Sequence, residues 1–379
     1  MRERLPSPFD VDQRPVAAIF RSPLFNLSET FVRAQAAGLV RYQPLVLGLR
    51  DKGNVPSDLA NRVRLKGRGA FRPFADRLKA YRPVVLHAHF GPDGLRALPL
   101  AERLAIPLVT TLHGYDASRS DWALLRSGRL SWMRYAVLKR RLQRGGALFI
   151  AVSEAVRRRA IARGYPADRT ITHYIGVDLK RHAPAGGEKG ETVLFVGRLV
   201  EKKGVDILLR AFAGVRARRP SASLSIIGDG PRRRSLERLA GRLGVGGVVT
   251  FLGEQPPEVV VHHMRRASVL AVPSVTARDG DAEGLPTVIV EAAACALPAV
   301  GTDHAGIPEA IADGKSGFVV PERDPAALAA RLSAVLESRD LRDRMGAAAR
   351  ALAIQRFDGD RQMRRLEEIY DAVRVGRCG

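Results

Sequence analysis

Short apolar runs alternate with longer amphipathic stretches along the first half of the chain. The runs that predict strands are residues 16–20, 44–49, 84–90, 108–114 and 147–153. Between them, helical segments are predicted around residues 29–40, 121–143 and 154–163. Nearly continuous hydrophobic strands separated by helices are typical of a parallel sheet covered on both faces. This half of the chain therefore predicts one doubly wound α/β domain.

The same alternation restarts after a cluster of Pro, Gly and charged residues at 182–191, "HAPAGGEKGE", which we interpret as an interdomain linker. Strands are predicted at residues 192–199, 223–230, 248–253, 268–274, 297–303 and 317–321, with helices at 205–218, 233–243 and 286–296. The pattern predicts two tandem domains, 1–182 and 183–356, and a C-terminal helix at about 357–375 that packs back on the first domain. In such domains ligands bind at the carboxyl ends of the strands.

Charge distinguishes the two halves. Residues 1–180 hold 32 Lys and Arg against 14 Asp and Glu, whereas the rest hold 30 against 25, within a total net charge of +23. The N-terminal domain is therefore expected to meet an anionic partner such as nucleic acid, phospholipid or a phosphorylated acceptor. The alternative is an Arg-rich protein whose basic helices are simply solvated.

Composition favours a cytoplasmic protein. The chain of 379 residues has two cysteines, too few for a disulfide framework. The N-terminal sequence "MRERLPSPFD" is not followed by the apolar segment of a secretory signal, and no uncharged run approaches the ~20 residues needed to span a bilayer. Secretion and membrane spanning are not expected.

Two loops carry the pattern of a phosphate-binding corner. Gly197 follows a predicted strand, and Arg198 and Lys203 flank the loop that leads to the next helix. Cations beside helix N–H groups bind phosphate, although such a pair can also simply cap a turn. Gly228 and Gly230 follow the next strand and would let the backbone approach a ligand, or form an ordinary strand-to-helix turn.

The segment 279–309 is more specific because two acids bracket an apolar run. Gly284, Leu285 and Pro286 form the predicted entrance of a helix, where free N–H groups can hold a phosphate or sugar hydroxyls. Glu291 lies within that helix, and the two hydroxyls of a ribose are natural partners for its carboxylate. The alternatives are a salt bridge from Glu291 to an Arg and simple solvation of Glu283.

The histidines divide by position. His113 ends a strand before Gly114, which predicts a cleft residue. His89 is either a cleft residue or a hydrogen-bonded core residue, and His87 is expected to be structural. No Cys/His cluster has the spacing of metal ligands, and the D-x-D at Asp279 and Asp281 is common by chance, so no metal is expected.

Taken in order, the motifs resemble those of the retaining glycosyltransferases of family 4, over most of the chain. They are Gly197-Arg198-Leu199 with Lys203-Gly204, Gly228-x-Gly230-Pro231, Glu283-Gly284-Leu285-Pro286 with Glu291, and "GTDHAGIPE". "LSETFV", "HAHFG", "LHGYD" and "PSVTARDGDAEGLP" look most like the branch that builds bacterial exopolysaccharides such as colanic acid.

This resemblance implies a GT-B fold, in which two Rossmann-like doubly wound domains face each other across a cleft and the C-terminal domain binds the nucleotide sugar. It implies donor diphosphate contacts for Arg198 and Lys203 and ribose contacts for Glu291. It implies sugar or diphosphate contacts for residues 283–286 and a place near the transferred sugar for His113. No cofactor is implied, since the nucleotide sugar is a substrate.

Three departures from the family pattern stand out. "RSPLFNLSETF" occupies the place of a Gly-rich loop, so acceptor contacts are expected from Ser28, Glu29 and Thr30 with the backbone, and from His89. Cys295 stands where a glycine is common. Ala305 replaces one glycine of a pair.

The expected chemistry is metal-independent transfer with retention, in which Arg198, Lys203 and a helix N-terminus stabilise the leaving diphosphate. Glu283 is expected among the catalytic residues with His113, Arg198 and Lys203, as a group near the sugar rather than as a nucleophile. UDP-hexose is the expected donor and GDP-mannose the nearest alternative, ahead of an epimerase or a phosphorylase. The acceptor is expected to be a lipid-diphosphate-linked glycan.

The basic segment 126–146 has the composition of a helix that lies on an anionic membrane, at the inner face of the cytoplasmic membrane, or of a helix covering the sheet. A nucleic-acid-binding protein is suggested by charge alone. No aromatic stacking platform accompanies that charge, so nucleic acid is not the expected partner.

Overall fold

A computed structural model of the chain describes residues 13–22, 30–48, 62–64, 75–76, 78–187 and 190–376, with the side chains of residues 30–31 and 62–64 left undescribed. Two compact units result. The first comprises residues 1–173 together with 360–379, and the second comprises residues 174–359.

The first unit is built on a seven-stranded parallel sheet in the order β3-β2-β1-β4-β5-β6-β7. Its strands are β1 Val16–Phe20, β2 Gln43–Gly48, β3 Arg62–Arg64, β4 Pro83–His89, β5 Leu108–Leu112, β6 Leu148–Ala151 and β7 Thr170–Thr172. Its helices are α1 Thr30–Gly38, α2 Gly91–Leu104, α3 Tyr115–Ser118, α4 Asp121–Leu125, α5 Leu130–Gly145 and α6 Glu154–Ala162.

The second unit has a six-stranded parallel sheet in the order β10-β9-β8-β11-β12-β13. Its strands are β8 Thr192–Val196, β9 Ser223–Ile227, β10 Val249–Gly253, β11 Val269–Val272, β12 Ala299–Thr302 and β13 Gly317–Val320. The helices that follow α6 are α7 Val205–Arg218, α8 Arg233–Arg242, α9 Pro257–Arg266, α10 Thr287–Ala294, α11 Ile307–Ala310, α12 Pro325–Glu337, α13 Arg339–Arg356 and α14 Gly359–Arg374.

The C-terminal helix α14 packs in the hydrophobic core of the first unit. Alternate residues of β1, Ala17 and Ile19, face the same cluster as residues of α1 and α14, because successive strand side chains point to opposite faces. Tyr370 and Val373 of α14 are buried in that cluster. The last helix is therefore part of the hydrophobic core of the first unit.

The predicted linker at 182–191 is bound to the second unit. Arg350 donates to the carbonyl oxygens of Leu179, His182 and Ala294, and Arg265 donates to those of Arg181 and Ala183. These guanidinium contacts attach the segment to α9, α10 and α13, and the division between the units lies earlier, before Tyr174.

Each predicted strand has a counterpart, but one predicted helix is wrong. The segment 121–143 forms two helices, α4 and α5, because the chain turns between them at Gly128, where φ is +66°. Strands β3 and β7 have three residues each and were not predicted. No helix within the described ranges is both long and apolar enough to cross a membrane.

Candidate functional site

Both sheets place loops at the carboxyl ends of their central strands, where the strand order reverses. In the second unit this reversal lies between β8 and β11, since β8 pairs with both β9 and β11. Ligands of doubly wound sheets bind at such a point. The residues predicted to bind the donor follow β8, β9 and β11, so the second unit gathers them at this edge of its sheet.

Glycines join the loops after β8 and β9. The Gly228 N–H donates to the carbonyl of Gly253 (2.7 Å), and the Gly197 N–H donates to that of Ile227 (2.9 Å). A Cβ at Gly228, where φ is +124°, would lie 2.1 Å from the carbonyl oxygen of Gly197. A Cβ at Gly230 would lie 2.6 Å from the carbonyl oxygen of Leu199. The close approach that requires these glycines is thus to the protein's own backbone, and their contact with a donor stays a prediction.

Two ion pairs connect the loop after β8 with the loop after β11. Lys203 Nζ lies 2.9 Å from Glu283 Oε1, with the two side chains 16% and 8% exposed. Lys202 Nζ lies 3.1 Å from Asp281 Oδ1. The loop that follows β11 is thereby fixed against the residues at the entrance of α7. The carboxylate of Glu283 is a counter-ion for Lys203, and solvation alone does not describe it.

A second contact set holds Glu283 from the other side. The Glu283 backbone N–H donates to His304 Nε2 (3.1 Å), and His304 Nδ1 donates to Glu322 Oε1 (2.6 Å). Burial raises the pKa of Glu283, but attraction to Lys203 and Lys202 outweighs it, and the pKa falls to about 2. The Glu283 side chain therefore remains ionised at neutral pH, although it is buried.

Arg198 is placed differently from Lys203. Its side chain is exposed, and it forms no ion pair with any residue that the structure describes. Burial lowers the pKa of Lys202 and the charge of Arg198 adds to this effect, but attraction to Glu283 and Asp281 outweighs both, so the pKa of Lys202 is raised. The guanidinium can therefore bind an incoming phosphate without giving up a protein partner.

Glu291 occupies the second turn of α10, whose first residue is Thr287 rather than the predicted Pro286. Burial raises the pKa of the Glu291 carboxyl, opposed by the charge of Arg181 and by a hydrogen bond from Thr287. Arg181 itself pairs with Glu258 at 2.6 Å. No Lys or Arg in the described part of the chain lies within ion-pair distance of Glu291, so the salt-bridge alternative is not realised there.

The segment between the two acids is closely packed. Leu285 is buried, as are Gly284 and Pro286, and the Gly284 carbonyl accepts from the N–H of Gly306 (3.1 Å). Ala305, which stands where a glycine is common, adopts φ +50°. The loop after β12 thus supports the entrance of α10.

A chain of buried polar side chains runs through the first unit to His113. His113 Nε2 lies 3.0 Å from His89 Nδ1, and His89 Nε2 lies 2.6 Å from Gln35 Oε1. The Gln35 amide nitrogen contacts His87 Nδ1 (2.8 Å) and the Tyr370 hydroxyl (2.6 Å). Because the Gln35 oxygen can only accept, His89 donates from Nε2 and accepts at Nδ1 from His113.

The three histidines of this polar chain, His87, His89 and His113, are neutral at neutral pH. Burial is the main cause of the lowered pKa of His113, reinforced by the charge of Arg21, and it also lowers the pKa of His89 well below its usual range. Burial lowers the pKa of His87 to about 3. His89 is 4% exposed with both ring nitrogens directed at protein partners, which favours a positioning role; its acceptor contact stays a prediction.

Asp116 fixes the backbone around His113. One carboxylate oxygen accepts from the N–H groups of His113 (2.9 Å) and Gly114 (3.1 Å), and the other accepts from that of Gly91 (2.9 Å). Burial raises the pKa of Asp116 to about 6, although these N–H groups favour the charged form. The ends of β4 and β5 are joined through this one side chain.

Sequence reasoning missed several of these residues. Asp116 belongs to "LHGYD", and an Asp four residues after the last residue of β5 is a recognisable acceptor for the backbone N–H groups of that turn. Arg21 and Asp93, paired at 2.6 Å where β1 and β4 end, were not singled out. Gln35 gave no signal, because its partners lie far away in sequence.

The remaining predicted residues divide between the described and undescribed parts of the chain. Ser28 and Glu29 lie outside the described residues, and Thr30 begins α1. Cys295 is buried and reduced. Among the described residues, no group of three or more His, Cys, Asp and Glu side chains is arranged to hold a metal ion.

The chain matches two known families over most of its length. Residues 31–181 match the family model "Glycosyltransferase Family 4", and residues 178–352 match "Glycosyl transferases group 1". WcaL of Escherichia coli K12, a glycosyltransferase named for colanic acid biosynthesis, is 34% identical over 259 residues, or 67% of this chain. The alignment covers 62% of WcaL, so the chain spans less than two thirds of that relative's length.

A second relative and a solved structure extend the comparison. The GDP-mannose-dependent alpha-(1-6)-phosphatidylinositol monomannoside mannosyltransferase of Mycolicibacterium smegmatis is 32% identical over 293 residues, which cover 74% of each chain. The crystal structure of Anabaena Alr3699/HepE in complex with UDP superposes with a TM-score of 0.79 at 21% identity, covering 94% of this chain and 100% of that chain. This likeness confirms the predicted GT-B fold.

Proposed function

This chain belongs to glycosyltransferase family 4, and on that premise we propose that it transfers a hexose from a nucleotide-diphosphate sugar to a growing bacterial polysaccharide. The donor in this proposal is a UDP-hexose. The acceptor is a glycan linked to a lipid diphosphate, at the inner face of the cytoplasmic membrane. The similarity to WcaL supports a role in exopolysaccharide synthesis.

The arrangement after β8 and β11 carries the proposal. Exposed Arg198 and the half-buried Lys203–Glu283 pair lie at the strand-order reversal of the second sheet, beside a helix whose second turn holds Glu291. Cations at this place suit a diphosphate. The partly exposed Glu291 carboxylate, which has no counter-ion within reach among the described residues, suits a vicinal diol such as that of ribose. A nucleoside diphosphate supplies both groups.

The chemistry follows from where charge develops. Cleavage of the bond between the anomeric carbon and the phosphate oxygen leaves negative charge on the diphosphate, which Arg198 and Lys203 stabilise. Glu283 holds the Lys203 ammonium in place through the ion pair. In front-face transfer with retention, the departing phosphate oxygen takes the proton of the attacking acceptor hydroxyl. No protein nucleophile and no metal ion take part in this proposed step.

His113 is assigned a contact with the transferred sugar. The family resemblance implies this role. Asp116 holds the His113 backbone and His89 contacts its ring, so the neutral imidazole is a fixed hydrogen-bonding group that carries no charge to repel an oxocarbenium-like transition state.

A GDP-mannose-dependent mannosyltransferase is the second candidate. The mycobacterial relative, which is matched over a larger share of its length than WcaL, is named for that donor. Both candidates use the same phosphate and ribose contacts, so the base and the sugar decide between them.

Donor binding provides the first test. The protein is mixed with UDP-glucose, UDP-galactose, UDP-N-acetylglucosamine or GDP-mannose, and its melting temperature is recorded. We expect one UDP-sugar to raise the melting temperature, and Glu291→Gln to lose that shift while exposed Glu337→Gln keeps it. A rise with GDP-mannose alone favours the second candidate, and no rise with any donor contradicts both.

A second measurement separates transfer from related reactions. Release of nucleoside diphosphate is followed with and without a lipid-linked glycan extract. Release that requires the extract supports transfer, whereas release or epimerisation of the sugar without any acceptor supports an epimerase-type reaction.

A further inference from the structure

A broad basic groove lies on the first unit beside α5. Its volume is about 1220 Å³, and residues of α3, α4, α5 and α6 line it together with the turn after α6. Six of its lining side chains are cationic and one, Asp121, is acidic. The cations are Lys139, Arg140, Arg144, Arg159, Arg163 and Arg169.

The single acid neutralises only one of these cations. Both oxygens of Asp121 accept from Lys139 Nζ, at 2.6 and 2.7 Å. Arg163 donates to the carbonyl of Ser118 (2.9 Å) and Arg169 to that of Gly146 (2.6 Å). Arg169 also lies 4.0 Å from the exposed carboxylate of Asp168, whereas the carbonyl contact of Arg163 orients its guanidinium without cancelling its charge. The groove therefore presents fixed positive groups of the kind that bind phosphate.

An exposed apolar stripe adjoins the groove. Of the nine large apolar side chains exposed in the described residues, six lie on α4 and α5. Leu130 (78% exposed), Met133 and Val137 (68% exposed) lie on one face of α5, because positions three and four apart are neighbours on a helix. Val137 also lines the groove, so the apolar and basic surfaces are continuous.

This combination favours a lipid surface over a soluble polyanion. A soluble polyphosphate or nucleic acid needs only the cations, and the exposed stripe would stay in contact with water. Clustered exposed apolar side chains indicate an interaction site, and with basic residues at their border they suit the boundary between phosphate headgroups and acyl chains. Trp122 of α4 is 65% exposed, and its indole has the amphipathic character of that boundary.

We propose that the groove and the apolar stripe together dock the first unit on a bilayer of anionic phospholipid, with lipid phosphates in the groove and Leu130, Val137 and Trp122 in the acyl boundary. The inference rests on the proposed function only for its purpose, which is to bring the enzyme to a membrane-linked acceptor. It concerns no residue of the donor site.

Vesicle sedimentation tests the docking. The full chain is mixed with vesicles of phosphatidylcholine alone or of phosphatidylcholine with phosphatidylglycerol, at low and high salt. We expect binding only to the anionic vesicles. Arg140→Gln with Arg144→Gln is expected to weaken that binding roughly tenfold or more. The matched control, Arg339→Gln with Arg344→Gln, removes the same charge from exposed positions of α13 and is expected to bind as the wild type does.

The apolar stripe has its own variant and its own signal. Leu130→Ser with Val137→Ser changes two exposed side chains and is expected to bind at low salt but to lose the binding that survives at high salt. Trp132→Phe leaves Trp122 as the only tryptophan. Its emission is expected to shift to shorter wavelength with anionic vesicles and to stay unchanged with inorganic polyphosphate.

Three results would overturn the proposal: no binding of the wild type to anionic vesicles, an equal loss in the α13 control, or unchanged Trp122 emission in vesicle-bound protein. A further measurement separates membrane docking from the proposed function: the donor-induced rise in melting temperature of the groove variant, Arg140→Gln with Arg144→Gln. It is expected to equal that of the wild type, so the docking and the donor chemistry fail independently.

Discussion

Lys203 holds its charge in a half-buried place because Glu283 is its counter-ion. The pair joins two loops of the second unit, and in the proposed reaction the same ammonium stabilises the diphosphate. Removing one partner of a buried pair costs ~3–5 kcal/mol of stability, because the other charge stays buried alone. Stability and turnover therefore have to be measured separately at this position.

Lys203→Ala is expected to lower turnover by ~10²-fold or more, the loss typical of removing one electrostatic donor from an active site. Steady-state kinetics at a temperature where the variant is folded measures this loss, with exposed Lys315→Ala as the control. A double variant, Lys203→Met with Glu283→Gln, leaves no buried charge unpaired and is expected to be folded but inactive. Near-normal turnover in Lys203→Ala would contradict the phosphate contact.

Glu283 also predicts a dependence of stability on pH. Its pKa is lowered from 4.5 to about 2 in the folded protein, so the ionised side chain stabilises the fold above pH 4.5. That stabilisation is lost as the pH falls through 4.5 towards 2. The difference in melting temperature between the wild type and Glu283→Gln is therefore expected to shrink across this range. A difference that does not change with pH would show that the Glu283 charge adds nothing to stability.

Single residues were predictable where local sequence determines their place. Arg198 and Glu291 follow strand and helix signals directly, and the structure places both accordingly. The pairing of Lys203 with Glu283 was not predictable, because it depends on β8 and β11 being neighbours in the sheet. Asp116 has a local signal in its contacts with His113 and Gly114, but its contact with Gly91 depends on the pairing of β4 with β5.

At the scale of elements, the loops after β8 and β9 depend on glycines that touch each other's backbone. Gly228→Ala is expected to destabilise the second unit by ~2 kcal/mol or more, because the new methyl group would meet the Gly197 carbonyl at 2.1 Å. Gly241→Ala is the matched control, since its Cβ would meet nothing within 4 Å and it lies inside α8. That substitution is expected to be neutral or to stabilise by up to ~1 kcal/mol.

Urea unfolding of the two alanine variants measures the contrast. Equal stability of Gly228→Ala and Gly241→Ala would show that the loop can relax around an added methyl group. Close approach of a ligand to the backbone would then be the remaining explanation for glycine at position 228.

Element prediction succeeded where a strand is buried on both faces and failed where it is short. The central strands are continuous apolar runs, whereas β3 and β7, "RVR" and "TIT", contain too few apolar residues to be distinguished from loops. The break between α4 and α5 has a local cause at Gly128, but the amphipathic residues on both sides hid it. Tertiary pairing, rather than propensity, defines these elements.

At the scale of the whole molecule, the first unit is assembled from both ends of the chain. Glu367 of α14 is buried and accepts from the N–H groups of Val40 (2.7 Å) and Arg41 (2.6 Å), after α1. Tyr370 contacts Gln35 and His87 in the polar chain that leads to His113. The last helix therefore provides both apolar burial and hydrogen bonds to the unit that begins the chain.

A fragment of residues 1–173 is expected to lack a cooperative thermal transition, because the α1 face of its core would be open to water. Joining residues 360–376 to that fragment through a flexible linker, or adding them as a peptide, is expected to restore the transition. Circular dichroism during heating measures both. Residues 174–359 expressed alone serve as the comparison, and a sharp transition in the 1–173 fragment without α14 would contradict the expectation.

Because the first unit contains both ends of the chain, it cannot fold completely until synthesis is nearly finished. β1 is synthesised first, but α14, the helix that packs on its sheet, emerges only after the whole intervening unit of residues 174–359. At roughly 5–20 residues per second, that delay is on the order of ten to forty seconds. During this interval the unfinished sheet presents the apolar face on which Tyr370 will later lie, so the nascent chain is the state that most needs chaperones.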